Sequence, residues 1–406
     1  MAIQYDIPSS FLSYDKLAIT DALTEAKANV LALTSMPYQR AWAENLQEIE
    51  LKREVAGTSK IEGADFTEQE LNEAISEDAD GKGMTRSQRQ ARAAMIAYRW
   101  LSGLKSDVPV TVNLVKEIHS RMITDCDDDH CAPGRLRSSG QNVIFGRPKH
   151  RGAEGGEFCE KAFTSLVDAA SSEFRAHDPL IQALAFHYHF GAMHPFEDGN
   201  GRTARALEAL MLRRAGLKDT LFVSMSNYYY DEKDNYLAAL SAVRQSNFDL
   251  TQFILFGLKG VAVQCGRLLS EINTHVAKSL YRDVMFQMYN RLLSTRKRAL
   301  AQRQLAILDR LLDLSEAIEY RDLYSALSGH YAKLKKPRIT YVRDLNHLIG
   351  LNAIDVAVKN DEDFDEQDFM VKIRLKWGTE ITRTDFYKRL DELPKAKTRL
   401  MVSPKL

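Results

Sequence analysis

The spacing of apolar residues along the chain predicts a mainly α-helical protein. Apolar positions recur every three or four residues in Asp15–Ala32 and Gln39–Ala56, which we predict as helices of an N-terminal region, 1–100. The same spacing continues through a core region, 101–262, and a connecting helix, 263–297. Because this pattern gives each helix one apolar face to bury, it predicts a helical core.

Two parts of the chain carry the signals of β-strands. In 133–151, turn residues enclose the β-prone segment Asn142–Phe145, which predicts a lone β-hairpin. In the last region, 298–406, the segments Asp355–Val358 and Val371–Leu375 alternate after three predicted helices. Three helices followed by a two-stranded ribbon resemble a winged helix, so we predict a winged-helix-like α+β domain here.

The third predicted helix of this C-terminal region indicates what kind of partner the region could bind. We predict that Thr340 caps the helix and that Gly350 ends it. Such a domain often binds DNA through its third helix. The acidic ribbon loop, 360–368, would be repelled by phosphate, and we therefore favour protein binding or dimer contact over DNA. The predicted outward residues are only mildly basic: Tyr341, Arg343, Asp344, Asn346 and His347.

Composition adds few constraints. The 406 residues carry a formal charge of zero, which gives no bulk attraction to nucleic acid or to an anionic membrane. The sequence contains no unbroken run of eighteen apolar residues, and we predict no membrane span. The four cysteines are irregularly spaced, which is typical of reduced, cytoplasmic proteins. The segment Cys126–Cys131 lacks the spacing of a metal site, and we interpret it as an acidic loop.

The segment His194–Arg205 concentrates groups that suit nucleotide chemistry. An apolar helix precedes it and ends at His194, because the next residue is a proline. The turn Asp198–Gly201 follows, and its glycines let the backbone approach a ligand closely. A second helix begins at this turn, so its free N–H groups favour an anion.

The side chains of the same segment fit a phosphate-containing ligand. Arg202 and Arg205 lie three positions apart, so both can bind phosphate oxygens. Asp198 supplies a hard oxygen ligand for a phosphate-bound Mg²⁺. His194 can change charge near neutral pH and suits a general base.

This segment resembles the Fic family signature, H-P-F-x-[DE]-G-N-G-R-x-x-R. The resemblance implies an adenylyltransferase that moves AMP from ATP to a Ser, Thr or Tyr hydroxyl of a target protein or of the chain itself. It implies that His194 takes the hydroxyl proton, Asp198 holds Mg²⁺, the turn and Asn200 hold the α-phosphate, and the two arginines neutralise the other phosphates. The matching residues are His194, Pro195, Phe196, Asp198, Gly199, Asn200, Gly201, Arg202 and Arg205.

An upstream motif refines this interpretation. Thr58, Glu62 and Gly63 resemble the family's inhibitory motif, [ST]-x-x-x-E-[GN]. The resemblance implies that Glu62 reaches Arg205 and occupies the place of the γ-phosphate. A carboxylate can satisfy a guanidinium as a phosphate does. A solvated glutamate at a helix end, with Gly63 as the C-terminal cap, is the plainer alternative.

Two further parts of the site follow from the resemblance. The hairpin resembles the family's flap, whose edge pairs with the target by strand addition; the implied docking residues are Asn142, Val143, Ile144 and Phe145. The nucleotide base is expected against a Tyr-Tyr-x-x-Leu segment, which Tyr236 and Leu240 match while Leu237 departs from it. An ordinary surface hairpin and a core tyrosine remain the alternatives.

Three other functions remain compatible with the sequence. The same site could remove AMP, with Glu62 positioning a water. It could transfer another phosphate-containing group. A nucleotide-sensing, DNA-binding regulator is the third, although sensing needs no general base. We also predict a homodimer, for which the connecting helix offers a surface.

Overall fold

The computed structural model describes residues 3–36, 40–76, 83–126, 131–146, 148–217, 222–290, 295–314, 316–358, 369–392 and 400. The chain divides into two compact units, Met1–Ser270 and Glu271–Leu406. Parts of two predicted acidic loops, at 127–130 and 360–368, lie outside the described residues.

Helices make up most of the first unit. Its described helices are α1 (Thr20–Ser35), α2 (Arg40–Ile61), α3 (Glu68–Ile75), α4 (Arg86–Ser102), α5 (Val112–Ile123), α6 (Glu157–Ser171), α7 (Pro179–Met193), α8 (Asn200–Leu212), α9 (Met225–Asp231) and α10 (Lys233–Gln245), with short 3₁₀ turns at Glu173–Ala176 and Arg213–Ala215. Helix α11 (Thr251–Tyr289) begins in this unit and runs into the second. The predicted mainly α-helical class is confirmed.

The centre of the first unit is the packed pair α7 and α8. Asp178 caps α7 by accepting a hydrogen bond from the Leu180 backbone N–H, and Pro179 occupies the first helical turn, where its missing N–H costs nothing. Nearly every side chain of α7 is buried, so this helix is enclosed by the protein on all sides. Helix α2, which carries the upstream motif, packs on α8 and α9. The two motifs found in the sequence therefore lie on neighbouring helices.

A three-stranded sheet replaces the predicted lone hairpin. Strands β2 (Ile144–Phe145) and β3 (His150–Arg151) pair antiparallel, with Phe145 opposite His150. Strand β1 (Ile3–Gln4) pairs parallel with β3, which gives the order β1-β3-β2. The prediction missed β1 because two residues carry no detectable alternation and their partner lies almost 150 positions away.

The predicted boundaries of three helices were wrong. Helix α1 begins at Thr20 instead of Asp15, and α2 continues to Ile61 instead of ending at Ala56. Most of the predicted connecting helix, 263–297, falls in α11, which begins at Thr251 and ends at Tyr289. Helix α11 continues through its glycines, which allow close packing against other helices. An added Cβ at Gly257 would lie 2.3 Å from the Leu184 side chain.

Helix α11 also meets the length and composition test for a membrane span. Its most apolar 18-residue window has a mean hydropathy of 1.3, and 56% of that window is buried inside the structure. Burial of this extent is typical of a core helix, and the same test is passed by such helices in proteins without a membrane span.

The second unit contains helices and a second small sheet. Its described helices are α12 (Thr295–Asp313), α13 (Tyr320–Ala326), α14 (Ser328–Tyr331), α15 (Pro337–Gly350), α16 (Trp377–Glu380) and α17 (Arg383–Glu392), and its strands are β4 (Ile318–Glu319), β5 (Ile354–Val358) and β6 (Phe369–Ile373). The strand order is β4-β6-β5, antiparallel throughout. The predicted helices and two-stranded ribbon are present, and β4 adds a third strand.

The predicted outward face of α15 was wrong. Tyr341, Asp344 and Asn346 are buried, because Asp344 forms an ion pair with Arg303 and Tyr341 packs in an aromatic cluster. The helix also begins at Pro337 instead of after Thr340. Its exposed residues are therefore those at its N-terminal end, which the prediction did not consider.

Candidate active site

A cavity of about 1000 Å³ lies where α7, α8, α10, the end of α2 and the β2 hairpin meet. This volume is at the upper end of the range for small-molecule sites. The cavity collects most of the site residues predicted from the sequence. Those that line it are Glu62, Phe145, His194, Asp198, Gly199, Asn200, Gly201, Arg205 and Tyr236.

His194 is held in an orientation that suits a base. It follows the last residue of α7 with φ 54° and ψ 60°, a left-handed conformation that is uncommon for a side chain of this size. Its Nδ1 lies 3.0 Å from the Gly191 carbonyl oxygen, so Nδ1–H donates and Nε2 keeps its lone pair. Burial lowers the pKa of His194 to about 4, with smaller contributions from nearby charges. The imidazole is therefore neutral at physiological pH.

The turn after His194 is fixed by its own residues. The Asn200 side chain accepts a hydrogen bond from the Phe196 N–H (2.9 Å) and donates one to the Phe196 carbonyl (2.8 Å). Gly199 adopts φ 72° just before α8, a conformation that favours glycine. The Asn200 side chain thus shapes the loop, and the predicted contact with an α-phosphate is left to the N–H groups at the start of α8.

Arg202 and Asp198 lie beside the turn. Arg202 is buried and donates to the Met122 carbonyl oxygen (3.1 Å), with Asp198 Oδ2 at 3.5 Å. Asp198 Oδ1 accepts the Gly199 N–H, and its Oδ2 lies 3.8 Å from Arg86. Arg202 therefore binds protein groups in this structure and is absent from the described lining of the cavity.

Arg205 and the upstream motif meet directly. The Arg205 Nε donates to Thr58 Oγ1 at 2.8 Å, and its Nη2 donates to Glu62 Oε1 at 2.5 Å. Burial by itself would raise the pKa of Glu62, but the Arg205 charge and hydrogen bond outweigh it and lower that pKa. The Arg205 side chain is 3% exposed and that of Glu62 is 39% exposed. The Glu62 side chain is therefore partly open to solvent, whereas that of Arg205 is enclosed.

The local backbone allows this contact. Glu62 follows the last residue of α2, and Gly63 turns the chain away with φ 89°. A Cβ added at Gly201 would lie 2.3 Å from Glu62 Oε1, so glycine is required for the carboxylate to approach the start of α8. The carboxylate thus lies against the first turn of α8, beside Gly201.

The hairpin covers the histidine. The Phe145 ring stacks on the His194 imidazole, with centroids 4.0 Å apart and planes at 23°. Neighbouring Ile144 is 57% exposed, and β2 lies at the edge of its sheet. Of the predicted docking residues, Ile144 and Phe145 are in the strand, whereas Asn142 and Val143 precede it. The pairing edge and the histidine are therefore adjacent.

Tyr236 lines the cavity but belongs to an aromatic cluster. Its ring stacks on Tyr229 with centroids 4.6 Å apart, and its hydroxyl lies 2.9 Å from His187 Nε2. Burial raises the pKa of Tyr236 to about 12, against the opposing charge of Arg205. The apolar wall next to it is formed by Leu237 and Leu240.

The sequence analysis did not identify two arginines of the site. Arg137 is buried and donates to the His194 carbonyl oxygen at 2.8 Å and to that of Gln141 at 2.6 Å, so it joins the histidine loop to the hairpin. Arg244 lines the cavity with its guanidinium 5.2 Å from the Phe145 ring centroid. No sequence signal marks Arg137, whereas Arg244 lies two turns after Tyr236 on the same helix.

Comparisons with known proteins match the part of the chain that carries this site. Residues 109–212 match the Fic/DOC family. The chain is 26% identical over 166 residues to the protein adenylyltransferase fic-1 of Caenorhabditis elegans, which is 41% of this chain and 30% of that protein, and 25% identical over the same length to its Caenorhabditis briggsae counterpart. The match thus spans less than a third of these relatives.

Solved structures share the fold. A Fic family protein from Desulfovibrio desulfuricans G20 is 20% identical with a TM-score of 0.54, and the alignment covers 91% of this chain and 98% of that one. A structure of C. elegans Fic-1 has a TM-score of 0.51 at 20% identity, covering 63% and 73% respectively. The match at 109–212 includes α7, α8 and the complete signature turn. The chain therefore contains a domain of the Fic/DOC family.

Proposed function

We propose that this protein is an adenylyltransferase that moves AMP from ATP to a hydroxyl of a protein, and that Glu62 inhibits it. The observation that carries the proposal is the meeting of Arg205 with Glu62 at the start of α8, inside a cavity that His194 also lines. The site offers a neutral base, free helix N–H groups and a buried cation within one cavity. These are the groups that nucleotidyl transfer needs, since such transfer depends mainly on positioning and charge neutralisation.

His194 acts as the general base in this proposal. Its Nδ1–H is bound to the Gly191 carbonyl, which leaves Nε2 to accept the proton of the attacking hydroxyl. The depressed pKa keeps the imidazole unprotonated before the reaction. The hydroxyl oxygen attacks the α-phosphorus, the bond to the bridging oxygen breaks, and pyrophosphate leaves with that electron pair.

The phosphates occupy the start of α8. Its N–H groups carry the positive end of the helix dipole, and Arg205 adds a full charge one turn further along. While Glu62 holds Arg205, the phosphate nearest Arg205 is excluded by both charge and space. Departure of Glu62 would leave Arg205 held by Thr58, ready for the phosphate.

Mg²⁺ is the metal that this donor set would suit. Asp198 offers one carboxylate, 35% exposed, at the edge of the cavity. Within the described ranges, no group of three acidic, histidine or cysteine side chains could hold a metal by itself. A cation bound to Asp198 would thus complete its shell with phosphate oxygens and water, as Mg²⁺ commonly does, and would neutralise charge on those phosphates.

The target would bind along the hairpin. Strand β2 ends its sheet, so a target segment can pair with it through backbone hydrogen bonds. Phe145 lies on His194, and a segment paired with β2 would bring its hydroxyl near that histidine. Backbone pairing would fix the register of the target segment against β2 without selecting a particular target sequence.

The test is incorporation of label from α-labelled ATP into protein in a cell lysate. We expect labelled bands with Glu62→Gly, weak labelling with the wild type, and none with Glu62→Gly combined with His194→Ala. The double variant should still bind ATP, because His194 does not hold the phosphates. Labelling that survives without His194 would contradict the base assignment, and bound ATP without label in any lane would contradict AMP transfer.

We propose DNA binding by the second unit as a second candidate function. Three exposed lysines, Lys333, Lys335 and Lys336, precede α15, and its first turn adds exposed Arg338 and Ile339. No Asp or Glu occurs in 323–343. Residues 271–406 hold 25 Lys and Arg against 19 Asp and Glu, although the whole chain is neutral. Helix α15 corresponds to the third helix predicted for this region, and helix-turn-helix domains contact DNA with the N-terminal residues of their recognition helix.

This exposed surface suits DNA better than the predicted outward residues of α15, three of which are buried. The acidic ribbon loop still opposes it, so we expect weak and salt-dependent binding. The test is fluorescence anisotropy of duplex DNA with the full chain. Lys335→Glu with Lys336→Glu should weaken binding about tenfold or more, whereas the exposed pair Lys161→Glu with Lys259→Glu should not. Equal effects of the two pairs would overturn this candidate.

A further inference from the structure

Cations without ion pairs surround the free edge of β2. Arg244 lines the cavity beside this strand, and the hairpin adds exposed Lys149 and half-buried Arg151. In the described part of the chain, none of these three side chains forms a salt bridge or a hydrogen bond. The sequence from 133 to 153 contains five Lys or Arg residues and no Asp or Glu. Resting on the proposed function, we propose that the target of AMP transfer is an acidic segment, and that Arg244 selects it by binding an Asp or Glu side chain near the modified hydroxyl.

Arg244 lies at the end of the docking edge. A Cβ added at Gly146, the residue after β2, would lie 2.7 Å from Arg244 Nη1. The Arg244 guanidinium also lies 5.2 Å from the centroid of the Phe145 ring, which stacks on His194. A target segment paired with β2 would therefore pass this guanidinium where the strand ends.

The charge of Arg244 lacks a counter-ion among the described residues. Its Nε is buried without a hydrogen-bond partner, and burial lowers the pKa of Arg244 because the charge is partly removed from water. The other arginine in the described lining of the cavity, Arg205, is already bound to Glu62. Asp234 lines the same cavity but lies almost three turns earlier on α10, about 15 Å along the helix axis. A carboxylate of the target would supply the missing charge and accept two N–H groups at once.

The positions of these cations favour a peptide over a nucleotide as their ligand. Arg151 is paired with Ile144 across the two strands, so both side chains lie on the same face of the sheet. Ile144 is 57% exposed, whereas Phe145 on the opposite face stacks on His194. Arg151 therefore lies on the face turned away from the histidine, where a nucleotide in the cavity would not reach. A strand paired with β2 presents side chains to both faces and so meets Arg151 as well as Arg244.

The spacing of His194 and Arg244 predicts where the acidic residue lies. Both line the cavity, at 4.0 and 5.2 Å from the centroid of the same Phe145 ring. Side chains on one face of a strand are two positions apart, which is about 6.5–7 Å. When the hydroxyl points to His194, an acidic side chain two positions away is therefore within reach of Arg244.

The experiment compares two fluorescent peptides on the full chain with Glu62→Gly. Both are strand-forming nonapeptides with a central threonine, and they carry Glu or Gln two positions before and after it. Fluorescence anisotropy measures their binding, and α-labelled ATP measures transfer to each. At low salt we expect the Glu peptide to bind about tenfold more tightly than the Gln peptide. Arg244→Gln should reduce this ratio to less than about threefold, while calorimetry should show ATP affinity changed less than about twofold.

Three further variants separate charge from structure. Arg244→Lys keeps the charge and should retain most of the preference. Arg151→Gln changes a residue outside the cavity and should lower the ratio by about two- to threefold, which gives a second measurement if Arg244→Gln does not fold. Lys259→Gln removes an exposed lysine of α11 and should leave the ratio unchanged.

Equal binding of the two peptides, binding of neither, or a preference that survives both Arg244→Gln and Arg151→Gln would overturn the proposal. Weaker ATP binding in Arg244→Gln with an unchanged peptide ratio would assign Arg244 to the nucleotide and also overturn it. Failure of the proposed function looks different, because the Glu62→Gly parent would then transfer no label to any protein of a lysate. Peptide binding does not depend on transfer, so the preference for the Glu peptide is decided in either case.

Discussion

Replacing Glu62 with glycine tests the central contact of the site. Glu62 lies just after the last residue of α2, so a glycine there does not interrupt the helix. The change removes a carboxylate 2.5 Å from Arg205 Nη2 and opens the space beside Gly201. We expect tighter ATP binding and faster transfer, because the donor no longer competes with Glu62 for Arg205.

The magnitude follows from the geometry. A hydrogen bond between charged groups contributes about 1.5–3 kcal/mol. Because Glu62 is 39% exposed, solvent screening reduces this to about 1–2 kcal/mol. ATP must displace that contact, so its removal should tighten ATP binding roughly 5- to 30-fold. Transfer at low ATP should rise by a similar factor.

Isothermal titration calorimetry with ATP and labelling from α-labelled ATP would measure the two effects. Glu62→Gln keeps the size and removes the charge, so it should give an intermediate gain. Asp65→Asn removes a nearby exposed carboxylate with no contact to Arg205 and should change nothing. If Glu62→Gly binds and transfers no better than Asp65→Asn, Glu62 does not compete with the donor and the reasoning is refuted.

Three other properties follow from the structure. The value of kcat/KM should stay level from about pH 9 to 6 and fall as pH drops through about 4, where His194 becomes protonated; a fall centred near pH 6.5 would contradict its buried environment. Asn200→Ala should lower the free energy of unfolding in urea by about 1–3 kcal/mol, since both Phe196 backbone groups lose their partner; an unchanged midpoint would exclude this support. Gly257→Ala should lower the melting temperature, because its Cβ would meet Leu184 at 2.3 Å, whereas Gly329→Ala has open space and serves as the control; equal melting temperatures would show that α11 can shift.

Local features of the sequence were sufficient for the signature and its turn. A proline after His194, glycines at 199 and 201, and apolar helices on both sides are all contiguous in the chain. The dihedral preferences of these residues act over one or two positions, so the turn can be predicted without knowledge of its tertiary contacts. The helical class followed for the same reason, from periodic apolar positions that determine which face is buried.

Other parts of the site depend on residues far apart in the chain. Strand β1 exists only because β3 lies beside it, and Arg137 reaches His194 across 57 positions. The outward face predicted for α15 failed because a buried ion pair drew Asp344 inward. A charged or polar residue type predicts exposure only when the core holds no group that can pair with it.

The sequence by itself determined which chemical groups this protein brings together, because the signature is local and each of its residues has a conformational or ionic preference. Only the tertiary structure decided what those groups bind. It directed Arg202 to the Met122 carbonyl oxygen and placed Arg205 against Thr58 and Glu62. Hydrogen bonds between distant segments form only after the helices pack, so no local pattern records them.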